Sequence, residues 1–216
     1  HAIKNKTGEI KMKKIMITGC NGQLGRALNH LYEKEQGTTI INTDVFPGER
    51  ITPLDITDVD KVLSFVREIN ESTFSTSGFN CAAHTNVDKC ETDIDNAYKI
   101  NAIGPRNLSI AAAEAGAKLM HVSTDYVFPG TEDRALTEFD KTGPVSVYGK
   151  TKLAGENFVR DFGDKYFIIR TAWLYGDGRN FVKTMLRLSE DHKEVGVVKD
   201  QFGSPTSATE LAKAIR

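Results

Sequence analysis

Residues Thr18 to Gly25 read TGCNGQLG. They follow a short apolar run, Lys14 to Thr18, and open a helical pattern that extends from Gln23 to Glu35. Gly19, Gly22 and Gly25 give the spacing G-x-x-G-x-x-G, a variant of the dinucleotide-binding fingerprint. Glycine allows the tight turn and removes the Cβ that would block a pyrophosphate. The helix that follows offers N–H groups without partners and a partial positive charge to phosphate oxygens. An empty strand-to-helix turn is the alternative.

The next strand argues against that alternative. Thr38 to Thr43 reads as a second strand, and it ends at Asp44, 19 residues beyond Gly25. Dinucleotide folds place an acid about 20 residues past the glycines, where it accepts hydrogen bonds from the adenosine ribose. A carboxylate there disfavours a 2′-phosphate, and Val45 and Phe46 supply no guanidinium. The expected cofactor is NADH or NADPH, with NADH favoured by Asp44.

Farther out, strands and helices alternate. Asp58–Asn70, Asp95–Ala115, Val147–Asp161, Phe181–Ser189 and Ser207–Arg216 carry helical spacing. Lys118–Ser123, Tyr166–Leu174 and Val195–Val198 read as strands, and Gly130–Gly143 as a loop. The pattern predicts an α/β fold, a Rossmann-like doubly wound parallel sheet. One segment fits poorly. A central strand is required between Asn70 and Cys81, yet ESTFSTSGFN has only Phe74 and Phe79 as apolar residues. Central parallel strands are ordinarily rich in Val and Ile.

The whole chain has 216 residues, 39% apolar and 26% charged, with 28 basic against 29 acidic side chains. That is one large domain without a basic excess, so neither nucleic acid nor a membrane surface is an expected partner. No apolar run approaches the ~18 residues of a membrane span. Cys20, Cys81 and Cys90 are odd in number and form no C-x-x-C pair, which argues for free thiols in a reducing, cytoplasmic compartment. Residues 1–11 read as a tag remnant or disordered extension, with Met12 as the natural start and 12–216 as the domain.

Candidate chemistry lies in two later stretches. Val147 to Lys152 reads VYGKTK, so Tyr148 and Lys152 stand four apart on one helix face. An ammonium beside a phenol lowers its pKa from ~10 and prepares Tyr148 to protonate an alkoxide. Lys152 would also reach a nicotinamide ribose. His121 to Phe128 reads HVSTDYVF at the end of a strand, where open α/β sheets bind ligands. Ser123 or Thr124 would donate to a substrate carbonyl. A turn cap is the alternative for Ser-Thr-Asp.

Together TGCNGQLG, LDITD (54–58), NCAAHTNVDKCE (80–91), STDYVFPG (123–130), VYGKTKLAGE (147–156), RTAWLYG (170–176), NFVKTML (180–186) and DQFGSPT (200–206) resemble the dTDP-4-dehydrorhamnose reductase family. That family lies within the extended short-chain dehydrogenase/reductases. The resemblance implies NAD(P)H-dependent reduction of the C4 keto group of a dTDP-sugar, dTDP-4-dehydro-β-L-rhamnose. It implies Gly22, Gln23 and Leu24 along the pyrophosphate, Asp44 at the ribose, and Asp55 and Ile56 by the adenine. Ala83, His84 and Thr85 would line the cofactor, and Val122 the nicotinamide. Thr124 would polarise the ketone, Tyr148 donate the proton and Lys152 support it, with Asp125 and Trp173 on the sugar. A carboxylate and an indole suit that task, although a strand tryptophan is ordinarily a core residue. His84 reads as packed or cofactor-lining, and no metal is expected.

Family members continue past DQFGSPT, so the C-terminal substrate subdomain is expected to be largely missing. A homodimer is compatible with this reading. Two further readings remain: a non-catalytic regulatory subunit like the β subunit of methionine adenosyltransferase, which binds a dinucleotide, and an inactive cofactor-binding fragment.

Overall fold

The computed structural model describes residues 13–70 and 75–216. The expected extension at 1–11, Met12 and Phe74 lie outside them. Six strands form one sheet: β1 (Lys13–Thr18), β2 (Thr38–Asp44), β3 (Ile51–Pro53), β4 (Ser75–Asn80), β5 (Lys118–Thr124) and β6 (Tyr166–Thr171). Their order is β3-β2-β1-β4-β5-β6, and every pairing is parallel. The chain winds one way from β1 to β3 and the other way from β4 to β6. The reversal between β1 and β4 opens a crevice at Thr18 and Asn80, where doubly wound sheets bind ligands. This is the expected Rossmann-like fold.

The helices are α1 (Gln23–Tyr32), α2 (Val59–Asn70), α3 (Val87–Cys90), α4 (Ile94–Tyr98), α5 (Gly104–Glu114), α6 (Val147–Phe162), α7 (Phe181–Asp191) and α8 (Ala208–Ala214). Alternation along β1 splits the core between the two sheet faces. Ile15 and Ile17 pack with Leu24, Leu28 and Tyr32 of α1 and Ala212 of α8. Met16 packs on the other side with Val62 and Val66 of α2, Leu108 and Ala111 of α5 and Val159 of α6.

The polar segment before Cys81 does form the central strand β4, paired on both sides. Backbone bonds to two neighbours hold it, while Phe79 enters the core and Asn80 is buried in a polar network. Side-chain apolarity is therefore not its main support.

Three expectations need correction. The single helix over Asp95–Ala115 is split by a π turn at Lys99–Ile103. Pro105 cannot donate to the helical ladder and breaks its register. The long strand Tyr166–Leu174 stops at Thr171. The backbone turns left-handed at Trp173 (φ 46°) and resumes as β7 (Leu174–Tyr175), paired with β8 (Thr206–Ser207). Val195–Val198 is not a strand: these residues have no pairing edge, and Val197 and Val198 are exposed. The sequence reading also omits β3, three residues at the sheet edge, too short for an alternation signal.

Candidate active site

The glycine loop is held by backbone geometry. Gly19 has φ +64°, and a Cβ there would lie 2.7 Å from the Ala82 backbone. A Cβ on Gly25 would lie 2.6 Å from the Gly19 carbonyl oxygen. The loop thus has no room for side chains where it crosses β4 and starts α1. Gly22 caps α1 without a side-chain bond, which leaves the first-turn N–H groups to a ligand. The Leu24 side chain is in the core, so only its backbone faces the loop. Gln23 donates from Nε2 to the Leu174 carbonyl at 3.2 Å and accepts from Asn180 at 3.4 Å. Its side chain ties the loop to β7 and α7.

Asp44 is buried and accepts from the backbone N–H of Asn21 and of Phe46, both at 3.2 Å. Its carboxylate fixes the loop before any ribose arrives. Asp55 is exposed and accepts from the Thr57 N–H at 2.9 Å. Ile56 is a core side chain packed under Gly104, where a Cβ would lie 2.4 Å from its Cδ1. Its side chain therefore does not face the cleft.

Beyond β4 come Ala83, His84 and Thr85, with Thr85 exposed. Asn101, buried in the π turn, clamps His84 by accepting from its N–H (2.8 Å) and donating to its carbonyl (3.1 Å). The imidazole lies 3.4 Å from Cys90 Sγ through Nδ1 and 3.6 Å from Asp93 through Nε2. His84 is a packed residue.

At the end of β5 the catalytic candidates converge. Thr124 Oγ1 donates to Asp125 Oδ1 at 2.9 Å and accepts from the Tyr126 N–H at 3.3 Å, so the turn-cap alternative is also realised. The Tyr148 hydroxyl lies beside that of Thr124, and Tyr126 meets the Tyr148 ring edge-on at 5.5 Å. Ser123 is buried beside Glu156 instead. Lys152, 2% exposed, donates from Nζ to the Val122 carbonyl at 2.6 Å.

The electrostatics correct one expectation. Burial pushes the Tyr148 phenol up to about 12, against the opposing effect of its contact with the Thr124 hydroxyl, and the Asp125 charge adds to the rise. It is not lowered by Lys152. Burial brings the Lys152 ammonium down to about 8, opposed by the charge of Glu156. Desolvation outweighs the favourable pairing for both groups. Burial also raises Asp125.

Trp173 is 44% exposed and leaves the strand in a left-handed turn, so it is not a core residue. A Cβ on Gly203 would lie 3.1 Å from the indole, which is backed by that glycine.

The sequence reading misses a supporting layer. Glu156, fully buried, accepts from Arg170 at 2.9 and 2.7 Å and from Arg160 at 2.8 Å. Its position four residues after Lys152, on the same helix face, was the available signal: a carboxylate there requires a cation. Thr18, Asn80 and His121 form a second buried chain, with Thr18 donating to Asn80 at 2.8 Å and Asn80 3.0 Å from His121 Nδ1. The three cysteines are free.

This glycine cradle and β5 cluster accompany a family match. The profile described as the RmlD substrate binding domain matches residues 12–216. The chain belongs to that family. It is 40% identical over 210 residues to a dTDP-4-dehydrorhamnose reductase of Mycolicibacterium smegmatis, covering 96% of this chain and 60% of that one. A crystal structure of a dTDP-4-dehydrorhamnose reductase from Clostridium acetobutylicum superposes with TM-score 0.85 at 53% identity, covering 94% of this chain and 68% of that one. One from Bacillus anthracis, in complex with NADP, gives 0.83 at 42%, covering 94% and 69%. The chain thus spans 60% of the length of the mycobacterial relative. Among the described residues no helix of this family member is long and apolar enough to cross a membrane.

Proposed function

We propose that residues 12–216 form the cofactor-binding, catalytic domain of an NAD(P)H-dependent reductase of dTDP-4-dehydro-β-L-rhamnose. The observation that carries this reading is the meeting of Thr124, Asp125 and Tyr148 at the end of β5, with Lys152 buried behind them. The glycine cradle fits a dinucleotide, because a Cβ at Gly19 or Gly25 would fill it. Gly19, Gly22, Gly25 and the N–H groups of Gln23 and Leu24 would hold the pyrophosphate. Asp44 would take the ribose hydroxyls and so favour NADH. Asp55 and the Ala83–Thr85 loop would border the adenine and the cofactor path.

Bound there, the reduced nicotinamide would supply a hydride to C4 of the sugar. Tyr148 gives its hydroxyl proton to the carbonyl oxygen, so one hydride and one proton convert ketone to alcohol. A phenol held at about 12 is fully protonated at neutral pH, so its proton is present to be given to the more basic alkoxide oxygen. Thr124 has one hydroxyl proton, now on Asp125. Polarising the ketone requires that proton to turn to substrate, which frees Asp125 to accept from a sugar hydroxyl. Trp173 would present its exposed indole to the sugar face. The relatives carry a reductase's name, and the regulatory-subunit reading draws no support from them.

The test is oxidation of NADH or NADPH by the purified chain, followed by absorbance, with the dTDP-4-keto sugar supplied enzymatically. Sugar-dependent turnover is expected. Cofactor binding without turnover would reduce the reading to a binding fragment.

A further inference from the structure

The backbone at Trp173 has φ 46°, in the left-handed region that a large side chain avoids. Such a residue persists where its surroundings fix it. Here its own carbonyl and the next one along the chain are both held. The Trp173 carbonyl accepts from the Thr206 N–H at 3.3 Å. Thr206 lies in β8, so that bond is internal to the small β7–β8 pair. The Leu174 carbonyl accepts from Gln23 Nε2 at 3.2 Å, across 151 residues of sequence. Because β7 has two residues, its own ladder is short, and the tie to Gln23 fixes it to the glycine loop. The Gln23 amide is held at its other end too. Its Oε1 accepts from Asn180 Nδ2 at 3.4 Å, while Asn180 Oδ1 caps α7 by accepting from the Lys183 N–H. Gln23 also opens α1, and its backbone N–H is one of the first-turn donors without a partner inside the helix. One residue therefore turns its backbone to the phosphate side and its side chain to the Trp173 turn.

From this juxtaposition we propose that Gln23 is a positioning residue whose side-chain amide sets the left-handed turn at Trp173, so that a dinucleotide on the glycine loop is coupled to the indole offered to the sugar. The inference rests on the dinucleotide reading above. A phosphate that accepts from the Gln23 N–H fixes the backbone from which this side chain extends. The amide passes any shift there to the Leu174 carbonyl, one residue from the indole. Coupling between sites runs through such contiguous bonded groups. Trp173 is 44% exposed and no residue of α7 is buried, so close packing does not freeze the turn. An occupied glycine loop then presents the indole in one arrangement, and an empty loop leaves it looser.

Trp173 is the one tryptophan of the chain, so its fluorescence reports this turn. The experiment titrates NAD⁺ and NADP⁺, which do not absorb where indole emits, into the wild-type chain, Gln23→Met and Gln23→Ala. Calorimetry records binding in parallel, and emission is read at saturation. Gln23 is half-buried at the start of a helix whose core contacts are Leu24, Leu28 and Tyr32, so the variants are expected to fold, and circular dichroism checks it. Methionine keeps the length of the side chain without the amide, and alanine is the best helix former. In the wild-type chain, binding is expected to change the Trp173 emission and lower its quenching by acrylamide. In both variants affinity should fall by less than about tenfold, the scale of one neutral hydrogen bond, while the Trp173 response is lost. A response that survives in the variants, or its absence in a wild-type chain that binds, would overturn the proposal and leave the dinucleotide reading intact. Binding of neither dinucleotide by the wild-type chain would overturn both.

Discussion

Leu28 and Phe202 stand at opposite extremes of packing. Leu28, on the inner face of α1, is fully buried among Ile15, Ile17 and Tyr32, whereas Phe202 is 92% exposed. The contrast extends to whole regions. The cofactor side obtains its shape from its own chain: glycines against backbone, Asp44 across the loop, α1 on the sheet. The face that begins at Trp173 does not. No residue of α7 is buried, and Phe181, Val182 and Leu186 are all more than half exposed. A cradle for a common cofactor is thus complete in packing terms, while the surface beside the sugar-binding candidates is apolar without being core.

If the two regions divide the work in this way, the largest effect belongs where they meet. Tyr148→Phe removes the hydroxyl and little else. Loss of a positioned proton donor lowers rates by about 10²- to 10⁴-fold, so kcat is expected to fall on that scale. NADH affinity, which the proposed function assigns to the glycine loop, should move less than about twofold. A comparable loss of NADH binding in a fluorescence titration would show that the catalytic and cofactor sites are not separable.

Within the packed region, Leu28→Ala opens a cavity under α1. Such truncations cost about 2–5 kcal/mol, read as a shift of the urea midpoint. A cost under about 1 kcal/mol would mean that α1 does not depend on this face.

Lys152 sharpens the comparison through pH. The unfolded chain keeps its proton on this amine up to the ordinary 10.5, the folded chain only to about 8. Between these values the unfolded state binds more protons, so the group's contribution to stability rises with pH. Its burial cost is fully present below 8 and gone above 10.5. Wild-type stability minus that of Lys152→Met should rise by about 3 kcal/mol across this window. Cys81 and Tyr148, both pushed up to about 12, oppose the trend in wild type, but the variant retains them. A flat difference would show that the amine is hydrated in solution.

The same contrast explains what could be read from the residues alone. The glycine loop, Asp44 and the Tyr148–Lys152 spacing are local patterns, and local patterns fix local backbone. Alternation of strand and helix was sufficient for the sheet. Strand β4 was difficult because its support comes from two neighbours rather than from its own side chains. The Glu156–Arg170 pair and the Asn101 clamp join residues far apart in sequence, so only one partner of each shows a signal, a polar residue on a buried face. The pKa expectation for Tyr148 failed for a related reason. Helical spacing shows that Lys152 shares a face with the phenol, but not that burial outweighs the attraction. Val195–Val198 has strand composition, but composition cannot supply a pairing edge.

The smallest effect is the most informative about the second region. Leu186→Ser, on α7, removes an apolar side chain that is 63% exposed. No cavity forms and no donor or acceptor is left buried, so stability should change by less than about 0.5 kcal/mol. Thermal melts of the two variants, Leu28→Ala and Leu186→Ser, then give the contrast directly. Should Leu186→Ser instead cost as much as Leu28→Ala, the side chain must be covered in solution. A dependence of that cost on protein concentration would identify the cover as a second copy, because association stabilises by mass action. Independence of concentration would place the cover within the chain itself. Either result would remove the distinction between a packed cradle and an unpacked face.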